Sequence, residues 1–331
     1  MIAHQNRRPL TLPSPDRRRY VRALAKRCRK YQAKFELEAL SLYKLFPLLV
    51  GMMVSGAANA TEADSPIPDL SGLWGRSSIP YERPSSGPGP LERLRLPSGA
   101  RARNSQVGDY TSPILTPQTA QAVKRFGELA QGAGASDAET ECWPESPPYM
   151  FRIQETQIIQ QRDRILIIYS YSNQIRRIRL NQSHPEHVTP SWSGDSVGHF
   201  EGDTLVVDTV GIKFGPYSML DRYGTPYSDA LHLVERFRMI DHAEAEAAMQ
   251  KNEKEYGRVQ VGYAVDPNYK GPGLQLQFTV EDPNTFTMPW SATVTYRRNI
   301  GPWPERVCAE NVHNFGVAED PKLPTADKPD F

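Results

Sequence analysis

The stretch Leu231–Met239 alternates between two faces. Leu231, Leu233, Glu235, Phe237 and Met239 make one row; His232, Val234, Arg236 and Arg238 make the other. Glu235 therefore stands in an otherwise apolar row. An interior carboxylate must be hydrogen-bonded, paired or protonated. Burial raises its pKa toward the range of a general acid or base. Two readings follow: an acid/base catalyst, or half of a buried ion pair with an arginine such as Arg177. His232, on the opposite face, and His199, on another strand, are the alternative catalysts. Glu235 and His232 share one strand and cannot both face one site unless a bulge intervenes.

His184 and His187 form a His-x2-His pair ahead of Trp192. A third ligand is missing and Pro185 prevents helical presentation, so no metal is expected. Trp192 lies in a Ser/Gly/Pro-rich loop, the kind of segment that carries function on a rigid scaffold. Trp192 and His184 are ligand-binding candidates, together with Tyr169, Arg177 and Trp290. Gly194-Asp195-Ser196-Val197-Gly198 fits the letters G-x-S-x-G, but it leads into a strand where a nucleophile elbow needs a helix. Asp203, Asp208 and Asp221 read as turn or strand-end residues. No Gly-rich phosphate loop follows a strand, and no cofactor is expected.

The elements that hold these residues are mostly strands. Gly72-Leu73-Trp74 opens the first. Ile165–Tyr169 is a buried strand, with Gln174–Leu180 as its partner across Ser172-Asn173. Ser196–Phe200 and Thr204–Val210 flank the turn Glu201-Gly202-Asp203. Leu274, Leu276, Phe278 and Val280 alternate with polar residues, the pattern of a half-exposed antiparallel strand. Phe286–Arg298 is the last. Pro117–Ala130 is a helix capped by Thr116, with Ala122, Val123, Phe126, Leu129 and Ala130 on one face. Residues 76–118 form an irregular, partly mobile excursion. Residues 241–256 have strong helix propensity and form an exposed helical insertion, with Val259-Gln260-Val261 as an extra strand. The fold class is mainly β: an antiparallel meander forming a lipocalin-like barrel or curled sheet, with one or two short helices. Residues 61–314 make one domain, and 315–331 a disordered tail.

The N-terminus differs in kind. Residues 1–37 are basic and polar. Within 38–60, the short apolar run Leu45–Val54 ends in Ala58-Asn59-Ala60. These are the parts of a secretory signal, and the apolar run is too short to span a bilayer. The basic extension is long for a signal; either the start codon lies further downstream or the segment is a cytoplasmic arm. Residues 1–60 hold 12 of the 39 Lys and Arg but 3 of the 38 Asp and Glu, which leaves 27 basic and 35 acidic residues, a formal charge of −8. A net-acidic chain repels phosphate backbones, so no nucleic-acid partner is expected. Export also fits the cysteines: beyond residue 60 only Cys142 and Cys308 remain, an even pair suited to one disulfide. The expected location is periplasmic or secreted, with no stable membrane span after cleavage.

Several motifs occur as a set. They are Asp69-Leu70-Ser71-Gly72-Leu73-Trp74, then His184-Pro185 through Pro190-Ser191-Trp192-Ser193-Gly194-Asp195-Ser196-Val197-Gly198, then Glu201-Gly202-Asp203-Thr204-Leu205-Val206-Val207-Asp208-Thr209 and Leu231–Phe237. Together they resemble a large family of exported bacterial proteins of unknown function, over most of residues 69–311. The resemblance implies no activity. This chain departs from the family's pattern at Asn181-Gln182-Ser183, where Asp-Gly-Arg is usual, and in the insertion of roughly residues 241–272.

Three functional readings follow. The first is a small-molecule binder with an apolar or aromatic ligand inside the barrel. The second is a lyase, isomerase or hydrolase on the same scaffold, using Glu235 or a histidine. The third is an envelope protein that binds a partner through residues 76–118.

Overall fold

The computed structural model describes residues 67–76, 80–132, 134–152, 155–256, 266, 268–299 and 303. Residues 1–66, with the expected signal and basic extension, and likewise Cys308, Val259–Val261 and the expected tail, lie outside the described residues.

Nine strands close into a barrel in chain order. They are β1 (Gly72–Gly75), β2 (Glu155–Gln160), β3 (Arg164–Tyr169), β4 (Gln174–Leu180), β5 (Asp195–Glu201), β6 (Thr204–Val210), β7 (His232–Ile240), β8 (Gly273–Glu281) and β9 (Trp290–Arg298). Closure comes from Trp74 pairing with Arg298 and Gly75 with Arg297. Closing the sheet satisfies the edge groups that an open sheet would leave unpaired. Every neighbouring pair is antiparallel except one: β4 and β5 run parallel over Ile178–Ser196, Arg179–Val197 and Leu180–Gly198. The meander is interrupted there because residues 181–194 carry the chain back along the outside before β5 begins. Gly194 ends this return at φ 70°, where a Cβ would lie 2.8 Å from Thr209 Cγ2.

The period-two pattern sets the inside and the outside of the barrel. Ile165, Ile178, Val207, Leu233, Phe278 and Val294 point inward and are almost fully buried. Each such side chain contributes about 1.5–3 kcal/mol of burial free energy. Trp74, Phe151 and Trp290 add bulk, so side chains fill the interior.

Helix α1 (Pro117–Gln131) starts where Thr116 Oγ1 accepts from the Thr119 amide. Its buried stripe is Thr119, Val123 and Gly127, and Leu129 is exposed, unlike the expected face. The stripe is centred one position away because Gly127 packs closely on Val107. Helix α2 (His242–Tyr256) contacts β8 and β9 and buries Ala245 and Asn252, so it is less exposed than its composition suggests.

Residues 80–118 are irregular, as expected, and dock on the barrel at several points. Glu82 bridges to Thr293 and Leu115 to Phe286 on the barrel, while Arg93–Gly108 and Arg95–Arg101 pair within the segment. Leu91, Val107, Ile114 and Leu115 are buried. The segment lies between β1 and α1 in the connection to β2 and, with α1, meets residues 211–231 at one end of the barrel. Tyr81 is its plug, edge-on to Phe278 with ring centroids 5.1 Å apart.

Candidate functional site

The barrel interior carries one polar layer. Arg176 on β4 and Glu235 on β7 form an ion pair at 2.8 Å, both fully buried. Arg176 Nη2 also donates to Ser196 Oγ at 3.0 Å and to Thr209 Oγ1 at 2.7 Å. Burial alone would lower the Arg176 pKa; Glu235 outweighs it and the guanidinium stays charged. Burial pushes the Tyr169 hydroxyl up, against the pull of Arg176. Glu235 thus has the arginine partner its position demands, but the partner is Arg176. Arg177, proposed from sequence, is exposed on the outer face because strand parity puts its neighbour inside. Ser196 sits in this layer, inside a strand, as the failed elbow context implied. Tyr169 and Trp290 face the core; Trp290 stacks edge-on with Phe278 and Phe286.

The histidines lie on the outer face. A chain of alternating carboxylates and basic side chains crosses five strands there. Arg179 meets Asp195 at 2.7 Å, and Asp195 meets His184 Nδ1 at 2.6 Å. His184 Nε2 meets Asp208 at 2.9 Å, Asp208 meets His232 Nε2 at 2.8 Å, and His232 Nδ1 reaches Glu281 at 3.4 Å. His184 rides on the returning segment 181–194 and ties it to β5 and β6. Burial pushes Asp208 up, but the hydrogen bonds from His232 and His184 outweigh it and hold the carboxyl low. Burial lowers His232, and Asp208 and Glu281 reverse this and raise it. Asp208 is the hub of this chain, which sequence reading took for a strand end. His199 stands apart, 3.2 Å from Glu201, which also holds Arg236 at 2.8 Å. His187 is exposed. Among the described residues no group of three His, Cys, Asp or Glu side chains is placed to hold a metal ion.

Trp192 packs half-buried against Trp143, edge-on with centroids 5.6 Å apart, and Lys213 lies over its ring at 5.0 Å. Gly215 fits between the two indoles, where a Cβ would come within 3.2 Å of both.

A pocket lies in the cap. Its apolar walls are Pro80, Pro90 and Leu91 with the rings of Tyr81, Tyr223 and Tyr256; its charged walls are Arg152, Asp221, Arg222 and Glu92. It is partly open to solvent, and its cavity volume of ≈ 20 Å³ has room for about one water-sized group. The Tyr81 hydroxyl is 2.8 Å from the Leu220 carbonyl oxygen and 3.0 Å from that of Pro148. Asp221 accepts from the Tyr223 amide at 2.8 Å and from Thr225 Oγ1 at 2.7 Å. Burial pushes its carboxyl up to about 6 despite these bonds.

The two arginines of the pocket differ in their partners. Arg152 pairs with Glu145 at 2.8 Å and Glu139 at 3.5 Å and lies 3.8 Å over the Tyr149 ring. Burial raises Glu145 to about 7 against the pull of Arg152. Arg222 donates to Ser105 Oγ at 2.6 Å and has no carboxylate at ion-pair distance among the described residues. Burial lowers its pKa, and Arg152 and Arg93 add repulsion. The Nε atoms of Arg93, Arg152 and Arg222 are buried without hydrogen-bond partners. Of this wall, the sequence singles out only Asp221, as a turn or strand-end residue. The others sit on aperiodic loops that give no pattern to read.

No protein-family model, curated protein or solved structure matches this chain.

Proposed function

We propose that this is a small-molecule-binding protein whose ligand enters the pocket in the cap, with the filled barrel serving as scaffold. The observation that carries this reading is the convergence of three tyrosine rings, Leu91 and two prolines with two arginines around one cavity. An apolar pocket with a few convergent polar groups is the usual form of a ligand site. The ligand class expected from sequence, small and largely apolar or aromatic, suits these walls. Native mass spectrometry of the purified protein tests it: a co-purifying molecule lost in Leu91→Trp, which fills the pocket, supports the reading. Identical ligand content in both proteins refutes it.

A second reading is an acid/base enzyme at the same pocket. Asp221, raised to about 6, favours it, because shifted carboxyls in clefts mark catalytic acids and bases. Glu235 and His232 are engaged by Arg176 and by Asp208 with Glu281, which supports structural roles for them.

We also infer export, on the Leu45–Val54 run and its Ala58-Asn59-Ala60 exit, and with it a Cys142–Cys308 bridge and a periplasmic or secreted location. Membership in the family of exported bacterial proteins rests on the motifs quoted above. The intact mass of the natively produced chain tests cleavage after Ala60 and, with and without reductant, the bridge.

A further inference from the structure

We propose that the cap pocket recognises a small organic acid, with its carboxylate at Arg222 and Arg152 and its apolar body against Leu91, Tyr223 and Tyr256. This rests on the pocket reading above and gives its ligand a chemical class.

The argument begins with Arg222. A half-buried guanidinium is costly unless an anion or several acceptors offset it. Arg222 has one neutral acceptor, Ser105 Oγ, and no carboxylate partner among the described residues. Its neighbours Arg152 and Arg93 carry the same charge. The acids nearby are committed elsewhere. Glu92 pairs with Arg83 at 2.7 Å, Glu145 and Glu139 lie against Arg152, and Asp221 holds Tyr223 and Thr225. Arg222 is therefore the guanidinium of this wall left without a carboxylate, and the Nε donors of Arg222 and Arg152 are buried without partners. A compact oxyanion supplies what this wall lacks, since charge-assisted bonds to guanidinium are the strong ones.

The remaining walls choose between oxyanions. Inorganic phosphate would leave Pro80, Pro90, Leu91 and the tyrosine rings unused. A carboxylate attached to an aromatic or aliphatic body uses both. The cavity itself fits only a compact group, so the body lies toward its open rim.

Isothermal titration of the purified protein with benzoate, benzamide and inorganic phosphate tests this, alongside Arg222→Gln, Arg222→Lys and Leu91→Trp. Benzoate should bind about 10- to 100-fold more tightly than benzamide. Arg222→Gln should remove that preference, Arg222→Lys should retain part of it, and the melting temperature of Arg222→Gln should not fall. Equal affinity for benzoate and benzamide, both lost in Leu91→Trp, overturns the anion assignment and leaves the pocket reading standing. Phosphate binding as tight as benzoate overturns the organic-acid assignment. Benzoate binding that survives Leu91→Trp, or no binding of any probe, overturns the proposal and counts against the pocket reading as well.

Discussion

Arg176 and Glu235 meet at 2.8 Å in the middle of the barrel, and neither side chain reaches solvent. They sit on strands β4 and β7, with β5 and β6 between them. The pair spans the barrel wall from within, and Ser196 and Thr209 on the intervening strands accept further hydrogen bonds from Arg176.

Breaking this pair from one side leaves a charge buried alone. Glu235→Ala or Arg176→Met should each cost about 3–5 kcal/mol in chemical denaturation. The double change Arg176→Met with Glu235→Met should recover most of that loss, because buried pairs replaced by apolar groups are often neutral. A catalytic Glu235 would behave differently, with Glu235→Gln abolishing turnover while folding persists.

The outer chain of charge predicts a pH signature. The pKa of His232 is raised above 6.5, so its contribution to stability is full below 6.5 and fades as pH rises through the higher native value. The pKa of Asp208 is lowered, so its contribution is present above 3.8 and fades as pH falls through the lower native value. The stability difference between wild type and His232→Gln should therefore be larger near about pH 5 than near about pH 8. Thermal melts at both values check it, and an equal difference would mean that His232 is not held protonated by Asp208.

Asp221 predicts a slope in the acid range. Burial raises its native value to about 6 from 3.8. The native state thus binds the proton more tightly than the unfolded chain, and stability falls as pH rises between those values. Asp221→Asn keeps an acceptor for the Tyr223 amide and should flatten this part of the curve. An unchanged slope would place Asp221 in solvent-like surroundings.

Gly224 anchors the same pocket wall. Its φ is 72°, and an added Cβ would overlap the Phe126 ring of α1. Gly224→Ala should cost about 1–3 kcal/mol from the backbone conformation alone, with the overlap adding to it. Urea denaturation measures the loss, and a neutral substitution would show that the cap is not locked there.

The strands were legible because they alternate. Leu231–Met239 reads as a strand with Glu235 in the apolar row and His232 on the opposite face, and β7 places them so. Helix α1 was legible from Thr116, Pro117 and its apolar spacing. The partner of Glu235 was missed by one residue, since parity on β4 depends on a register that one strand cannot reveal. Asp208 was missed as a hub because His184 reaches it through the parallel crossover 181–194, a contact that no periodicity encodes. The cap pocket was missed for the same kind of reason. Pro80, Leu91, Arg152, Arg222 and Tyr256 are far apart in the chain and lie on loops or at element ends.

Methyl NMR titration of the protein with benzoate tests the central claim most directly. The account predicts shifts at Leu91 and at methyls beside Tyr223 and Tyr256, with Leu233, Leu276 and Val294 inside the barrel unmoved. Shifts concentrated at Leu233, Leu276 and Val294 would contradict it and return the ligand site to the barrel interior.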